Sequence, residues 1–302
     1  MNTVIAYSRY GGPEVLSSST EEIPQPGPGQ VRIRVRAVAV NPIDAKIRSG
    51  ALDGFFPAQF PVVPGWDVAG VVDTAGDGAS AAVGDEVFGV ASFGGYSQYA
   101  LLDRPVPKPA SLSFAAAAAV VTVGEAAFRV LKHLGLKAGQ TLLILGAGGS
   151  VGSITAQLAT ARGITVIGTA AERDLGRLTT LGATAVRYGD GWAGRVRAVA
   201  PAGVDAVFDT AGAGLLADAI ALAGDVANVI TIADHNAPEH GVRFTGQDPA
   251  DRAPEALPEL AALLGSGHLA VPVWRTYPLA EAAKAHADLD AHRNQGKIVL
   301  LP

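Results

Sequence analysis

Three regularly spaced glycines carry the clearest chemical signal in the sequence. Gly146, Gly149 and Gly152 stand in LLILGAGGSVGSITAQLA, between a short apolar run and an apolar stripe at helical spacing. In a strand–turn–helix unit, the first glycine permits a tight turn, the second lets the backbone approach a pyrophosphate, and the third allows close packing of helix and strand. The segment therefore predicts a dinucleotide site rather than a simple connection. Its candidate residues are Gly146, Ala147, Gly148, Gly149, Ser150, Val151 and Gly152.

The end of the next strand-like run bears on which dinucleotide is bound. An acidic residue about 20 positions beyond the glycines would bind a ribose 2'-hydroxyl and repel a 2'-phosphate. This chain has Thr169 and Ala170 there, followed closely by Arg173. Because a guanidinium can pair with a phosphate, these residues predict NADP(H). Glu172 beside Arg173 leaves NADH open, and Arg173 on a solvated helix face is the alternative for that residue.

Two kinds of segment surround this turn. The first 110 residues hold alternating runs such as VRIRVRAV and many Gly and Pro turns, which predict a mostly antiparallel β domain. From residue 141 onward, apolar runs alternate with helix-like segments, which predicts a parallel sheet covered on both faces. The runs are TLLIL (141–145), VIGT (166–169), AVRY (185–188), DAVFD (205–209) and VITIA (229–233).

Composition limits the classes of function. A chain of 302 residues with 49% hydrophobic residues suits about two domains. Its net charge of -5, without a basic block, argues against a nucleic-acid partner. The absence of Cys excludes disulfides, thiolate nucleophiles and Cys-bound zinc. The N-terminus does not read as a signal peptide and AAAAAVV (115–121) is too short to span a bilayer, so we expect a cytoplasmic protein with no membrane partner.

Six segments follow one another along almost the whole chain. They are NPIDAKIRSG (41–50), PVVPGWDVAGVV (61–72), VGDEVFG (83–89), LLILGAGGSVGSITAQLA (142–159), FDTAG (208–212) and GKIVLL (296–301). Together they resemble the zinc-independent quinone oxidoreductase branch of the medium-chain dehydrogenase/reductases, the zeta-crystallin-like enzymes. The first two segments look closest to the enone (2-alkenal) reductases of this branch.

The resemblance implies an α/β fold with two domains. A Rossmann doubly wound parallel sheet, residues 120–267, would be inserted into a GroES-like, mainly β substrate domain made of residues 1–119 plus 268–302. Zinc-dependent relatives would have a Cys in place of Asn41 and a Gly-His-Glu in place of Gly65-Trp66-Asp67. Without Cys or clustered His, a catalytic zinc of that kind cannot be assembled. The resemblance also implies a homodimer.

Metal-free reduction needs a hydrogen-bond donor for the oxygen that becomes negative during hydride transfer. By resemblance, Asn41 and Lys46 line the cleft, and Thr122 faces the nicotinamide. Enone reductases resembling this chain carry Lys where many quinone reductases have Tyr, so Lys46 is the leading candidate for the oxygen contact or the proton donor. An ordinary solvated lysine is the alternative. Asp44 and Arg48 are predicted to form a structural ion pair.

The resemblance adds further cofactor contacts. Tyr188 and Arg293 would lie near the adenosine phosphate, although Tyr188 could equally be an aromatic that only packs in a strand. Thr210 and Ala211 would follow the fourth strand of the nucleotide domain. Among the scattered histidines, His286 is predicted to lie at the surface.

These observations predict an NADPH-dependent, metal-free oxidoreductase. Its substrate would be a small molecule, either a quinone or the C=C bond of an α,β-unsaturated carbonyl. Short-chain dehydrogenases are excluded because none of the six Tyr residues is followed four positions later by Lys. The alternative is a non-catalytic NADP(H)-binding sensor, structural protein or RNA-binding protein on the same fold, of which the acidic charge disfavours the RNA-binding form.

Overall fold

The computed structural model describes residues 1–246 and 248–302, which divide into two units. The first unit comprises Met1–Thr122 and Leu257–Pro302, and the second comprises Val123–Ala256. The chain thus changes unit at 122/123 and 256/257, where the sequence suggested 119/120 and 267/268. Each change falls within or beside a helix, and an apolar helix carries no local signal of where one core ends and the next begins.

The N-terminal part of the first unit is mainly β structure. Its elements are β1 (Asn2–Ala6), β2 (Ser17–Glu21), β3 (Val31–Val40), α1 (Pro42–Arg48), β4 (Asp67–Ala75), β5 (Glu86–Val90), β6 (Tyr99–Leu102), β7 (Val106–Pro107) and α2 (Phe114–Leu134). Strand β3 shows why the alternating run folds this way: Val31, Ile33 and Val35 are buried, while the arginines between them face outward. Strand β3 pairs antiparallel with β4 and β6.

The second unit holds the parallel sheet. Its elements are β8 (Thr141–Leu145), α3 (Ser150–Ala161), β9 (Thr165–Ala170), α4 (Leu175–Thr180), β10 (Thr184–Arg187), α5 (Trp192–Val199), β11 (Ala206–Asp209), α6 (Leu216–Ala223), β12 (Val229–Thr231) and β13 (Arg243–Phe244). The strand order β10-β9-β8-β11-β12-β13 confirms the predicted doubly wound sheet. The order reverses between β8 and β11, so the turns after these two strands lie side by side.

The C-terminal segment completes the first unit's sheet. It consists of α7 (Ala256–Gly265), β14 (Val273–Pro278), α8 (Ala282–Asp290) and β15 (Lys297–Leu301). The strand order is β14-β15-β3-β4-β5-β7, with β6 on β3. Strand β15 pairs antiparallel with β3 and places Ile298 opposite Val40. This register brings the start of β15 next to the start of α1.

Helix α2 contains the AAAAAVV run. The helix has 21 residues, far more than the AAAAAVV run, and is long and apolar enough to span a membrane. However, 72% of its most apolar window is buried in the protein. Burial of this extent is expected of a core helix.

Candidate active site

The glycine turn joins β8 to α3 with a closely packed backbone. Gly146 has a φ of +82°, and a Cβ there would lie 2.8 Å from the hydroxyl of Thr210. A Cβ on Gly152 would lie 2.6 Å from the carbonyl oxygen of Gly146. A side chain at Gly152 would therefore require a backbone shift, and one at Gly146 would require a backbone conformation that other residues rarely adopt. The turn therefore keeps its shape only with glycine at both places.

This turn is held by Thr169, near the end of β9, and by Thr210, directly after β11. The hydroxyl of Thr169 accepts a hydrogen bond from the backbone N–H of Gly146 at 3.1 Å, and its carbonyl accepts one from Ala147 at 2.8 Å. The hydroxyl of Thr210 donates to the carbonyl of Leu145 at 2.8 Å. The structure thus brings Thr169 and Thr210 together at the turn, and Ala211 follows directly.

The helix end behind the turn has the chemistry of an anion site. The first hydrogen bond within α3 runs from the N–H of Ser153 to the carbonyl of Gly149 at 2.9 Å. The N–H groups of residues 150–152 precede that bond and lie at the positive end of the helix dipole. Such groups bind phosphate when no side chain obstructs the approach. The residues present therefore fit the diphosphate of a dinucleotide.

Two charged side chains that the sequence reasoning missed border the turn. A Cβ on Gly148 would lie 3.2 Å from Oδ2 of Asp174, a buried carboxylate. Nη2 of Arg177 donates to the carbonyl of Gly148 at 2.6 Å and to Oδ1 of Asp174 at 3.2 Å. Asp174 lies 22 positions past Gly152, a few residues beyond Thr169 and Ala170, which stand where an acidic residue would bear on the choice of cofactor. A short 3-10 turn over Glu172–Asp174 directs Asp174 inward, and no residue pattern showed that turn.

The other predicted residues of the second unit are more exposed. Arg173 is 56% exposed, with its Nε 3.7 Å from Oδ2 of Asp174. Tyr188 is also 56% exposed, and its backbone N–H donates to the carbonyl of Ala170 at 3.0 Å. Arg293 belongs to the first unit, where it pairs with Asp288 at 2.9 Å. The roles of Arg173, Tyr188 and Arg293 toward the cofactor stay predictions.

Within the first unit, four elements bring polar side chains together. Asn41 precedes α1, Asp67 begins β4, Thr122 lies in α2 and Lys297 begins β15. Nδ2 of Asn41 donates to Oδ2 of Asp67 at 2.9 Å, and the hydroxyl of Thr122 donates to Oδ1 at 2.6 Å. The ammonium of Lys297 donates to Oδ1 of Asn41. We call these four residues the Asn41 cluster.

Three of the four residues of the cluster are buried, and they carry one positive and one negative charge. Asn41 is 1% exposed, Asp67 0% and Lys297 3%. Burial lowers the pKa of Lys297, while the carboxylates of Asp67 and Asp44 act in the opposite direction. A buried charge without a partner is strongly destabilising. The ammonium of Lys297 and the carboxylate of Asp67 therefore each reduce the cost of burying the other.

Asp44 links the cluster to a second set of buried groups. Its Oδ2 accepts hydrogen bonds from the backbone N–H of Asn41 at 2.8 Å and from the hydroxyl of Tyr96 at 3.4 Å. Burial raises the pKa of Asp44 to about 7, with the backbone bond to Asn41 opposing that rise. The carboxyl of Asp44 therefore titrates near neutral pH.

The prediction of an Asp44–Arg48 ion pair is wrong. Arg48 instead bonds Nδ1 of His286 at 2.8 Å and Oδ2 of Asp290 at 2.7 Å. Asp44 turns back to the start of α1 to bind Asn41, whereas Arg48, one turn later, reaches α8. The expectation that a buried charge needs a partner was met, but by other groups: the start of α1 for Asp44, and α8 for Arg48.

The prediction that His286 lies at the surface is also wrong. Its side chain is fully buried, and its Nε2 lies 2.9 Å from the hydroxyl of Tyr96. Burial, and then the charge of Arg48, lower the pKa of His286 to about 3, so the ring is neutral at physiological pH. Because Arg48 can only donate, Nδ1 is the acceptor and Nε2–H donates to Tyr96.

Comparison with known proteins agrees with a GroES-like domain and a dinucleotide-binding domain in one chain. Residues 27–110 match the family described as Alcohol dehydrogenase GroES-like domain, and residues 181–300 match the one described as Zinc-binding dehydrogenase. A quinone oxidoreductase of Sus scrofa is 32% identical over 326 residues, covering 99% of this chain and 97% of that protein. The chain belongs to the zinc-independent quinone oxidoreductase family of medium-chain dehydrogenase/reductases.

Three further similar proteins extend the comparison. A 2-methylene-furan-3-one reductase of Solanum lycopersicum is 35% identical over 167 residues, which are 51% of this chain and 43% of that protein. A mycobacterial protein complexed with NADPH has a TM-score of 0.84 at 30% identity, with both chains fully covered. A structure described as an NAD-dependent alcohol dehydrogenase has a TM-score of 0.87 at 28% identity, covering 99% of each chain. The protein is thus an oxidoreductase with a small-molecule substrate and a nicotinamide cofactor.

The family model that matches residues 181–300 is described as Zinc-binding dehydrogenase, which raises the question whether the residues present suit that metal. Across residues 1–246 and 248–302, no group of three or more His, Cys, Asp or Glu side chains could hold a metal ion. Asn41, which by resemblance stands where zinc-dependent relatives have Cys, binds an ammonium and a carboxylate instead. The donor set does not fit a catalytic zinc.

Lys46 lies outside the Asn41 cluster. It is on the same helix as Asp44, but its side chain is exposed. An exposed lysine can contact a substrate or can simply be solvated. Its catalytic role stays a prediction.

Proposed function

We propose that this protein is an NADPH-dependent, metal-free reductase of quinones or of the C=C bond of α,β-unsaturated carbonyls. The observation that carries the proposal is the Asn41 cluster, in which Asp67 and Lys297 hold the amide of Asn41; this amide donates one N–H to Asp67 and has a second N–H. Donors held in place before the reaction stabilise a developing oxyanion without reorganisation. Such donors are what a reductase without a Lewis acid requires.

NADPH, when bound, supplies a hydride to the acceptor carbon or quinone. The N–H groups of residues 150–152 and the glycine turn hold the diphosphate. Asn41 donates a hydrogen bond to the acceptor oxygen as negative charge develops on it. Lys46 contributes the proton that completes the reduction, and Thr122 orients the nicotinamide.

Preference for NADPH over NADH is assigned to Arg173, whose exposed guanidinium follows β9. The resemblance to a mycobacterial protein complexed with NADPH supports this assignment. Another similar structure is described as NAD-dependent, so kinetics with both cofactors test the assignment. We further propose a homodimer, as the family resemblance implies, and a cytoplasmic location, as the N-terminal sequence and the absence of Cys suggest.

A panel of acceptors tests the proposal. Purified protein is mixed with quinones, 2-alkenals and cyclic enones, and oxidation of NADPH and of NADH is followed separately. We expect turnover of quinones or enones, with NADPH preferred. Turnover of simple alcohols with NAD alone would contradict the assignment. Tight NADPH binding without turnover of any acceptor would favour the non-catalytic alternative.

A further inference from the structure

Lys297 occupies an unusual place for a lysine. It begins β15, whose next three residues, Ile298, Val299 and Leu300, are almost completely buried. Lys297 itself is 3% exposed. Removing an ammonium from water is costly unless it is paired and hydrogen-bonded. A lysine at this position therefore calls for a reason beyond packing.

The contacts of Lys297 supply a reason for its burial. Nζ donates to Oδ1 of Asn41 and to the carbonyl of Val40, the latter at 3.3 Å. On the other side of the same amide, Nδ2 of Asn41 donates to Asp67 at 2.9 Å. The amide of Asn41 thus lies between a group that only donates and a carboxylate that, when ionised, only accepts.

This arrangement allows one orientation of the amide. If the amide of Asn41 were flipped, its NH₂ group would face the ammonium of Lys297, and its oxygen would face the carboxylate of Asp67. Both contacts would be repulsive and would leave buried polar atoms unsatisfied. The pairing of β15 with β3 brings the lysine to this place from 256 residues away in the chain.

We infer that Lys297 is a positioning residue: together with Asp67, it holds the amide of Asn41 so that Nδ2 is the atom presented to the acceptor oxygen. A primary amide carries two N–H groups, and Asp67 accepts only one of them. The second N–H is then the donor for the oxyanion. This inference rests on the proposed function of Asn41.

A double-mutant cycle tests the inference. In Lys297→Met, kcat should fall about 10- to 100-fold while KM for NADPH is unchanged, because a misplaced donor affects mainly the chemical step. Asn41→Ala should also lower kcat. If Lys297 acts through Asn41, adding Lys297→Met to Asn41→Ala causes no further loss. Fully multiplicative losses would overturn the inference.

Lys108→Met is the matched control. Lys108 is another lysine of the first unit, with a side chain only 4% exposed; it pairs with Glu86 at 2.9 Å and donates to the carbonyls of Leu112 at 2.6 Å and Pro109 at 3.0 Å. Its loss removes a buried ammonium without touching the Asn41 cluster. The protein should be destabilised, but kcat should stay within about twofold of the original value. An equal fall of kcat in both variants would show that any buried lysine has this effect and would overturn the inference.

Two further measurements keep the inference testable. If Lys297→Met does not fold, the double variant Lys297→Met/Asp67→Asn removes both charges together. It should show the same loss of kcat, and retention of kcat overturns the inference.

If the unmodified protein reduces no acceptor, the proposed function fails. The positioning role is then tested by NMR, through hydrogen exchange of the Asn41 side-chain amide. We expect exchange to be at least tenfold faster in Lys297→Met than in Lys108→Met. Equal rates would overturn it.

Discussion

Nη2 of Arg177 donates to the carbonyl oxygen of Gly148 at 2.6 Å, and the same atom lies 3.2 Å from Oδ1 of Asp174. One guanidinium therefore ties the glycine turn to the carboxylate beside it. The side chain of Arg173 is 56% exposed, and its charged contact is with Asp174, at 3.7 Å from Nε to Oδ2, whereas the bond to the turn belongs to Arg177. The two arginines should thus serve the cofactor in different ways.

Substitution of each arginine by Met separates these roles. Arg177→Met should raise KM for NADPH and NADH alike, about 10-fold or more, because a charged hydrogen bond that shapes the turn is lost. Arg173→Met should raise KM for NADPH about 10-fold and leave KM for NADH unchanged, because only NADPH carries the 2'-phosphate. Steady-state kinetics with both cofactors provide the measurement. An Arg173 variant with unaltered NADPH kinetics would contradict its assignment.

Gly152 offers a test of the turn itself. In Gly152→Ala the new methyl group would meet the carbonyl of Gly146 and the Cα of Ala147, each at 2.6 Å. Because both contacts are with backbone, we expect a shifted turn, a loss of about 1–3 kcal/mol in the free energy of unfolding, and weaker binding of either cofactor. Denaturant unfolding and fluorescence titration with NADPH measure both effects.

Gly176→Ala is the matched control for that substitution. Nothing lies within 4 Å of a Cβ at Gly176, which is in helix α4. Alanine there should leave cofactor binding unchanged and stabilise the protein by roughly 0.5–1 kcal/mol. If the Gly152 variant bound NADPH as tightly as this control, the turn would not be the diphosphate site.

The parts of the site that the sequence predicted consist of residues close together in the chain. Gly146, Gly149 and Gly152 lie within seven positions, and their spacing reports a strand, a turn and a helix directly. The alternation of apolar runs and helices similarly predicted the parallel sheet, because each run reflects burial on both faces. Features set by neighbours in sequence could therefore be predicted.

The parts that the sequence did not predict depend on distant pairing. His286 bonds Arg48 across 238 positions, and Lys297 bonds Asn41 across 256. The segment GKIVLL supported a family resemblance, but nothing in it indicated that its lysine would be buried. Which polar side chains meet in a core follows from strand register and helix packing, and neither is encoded in a short pattern.

Lys46 tests the proton-donor assignment. Lys46→Met should lower kcat by about 10²-fold or more, because the reaction would lack its proton donor. The free energy of unfolding should change little, because the side chain is exposed. Lys46→Arg keeps the charge but releases a proton far less readily, and should recover only part of kcat. The kinetics of both variants with the best acceptor provide the measurement. Unaltered kcat in Lys46→Met would identify an ordinary solvated lysine.

Asp44 and His286 should give the free energy of unfolding opposite dependences on pH. Burial raises the pKa of Asp44 from 3.8 to about 7, so the folded state binds the extra proton between these values, and stability is lost as pH rises through that window. The pKa of His286 is lowered from 6.5 to about 3, so the unfolded state binds the extra proton, and stability is lost as pH falls through that window. Each slope approaches about 1.4 kcal/mol per pH unit.

In the unmodified protein the two slopes oppose each other over the range in which the windows overlap, so the dependence on pH should be shallow there. Asp44→Asn removes the first slope, and its stability should rise with pH through that range. His286→Gln removes the second, and its stability should fall. Denaturant unfolding at several pH values measures both curves. Parallel curves for the two variants would mean that these groups do not titrate on unfolding, and the buried chain Arg48–His286–Tyr96–Asp44 would then have no part in the protein's response to pH.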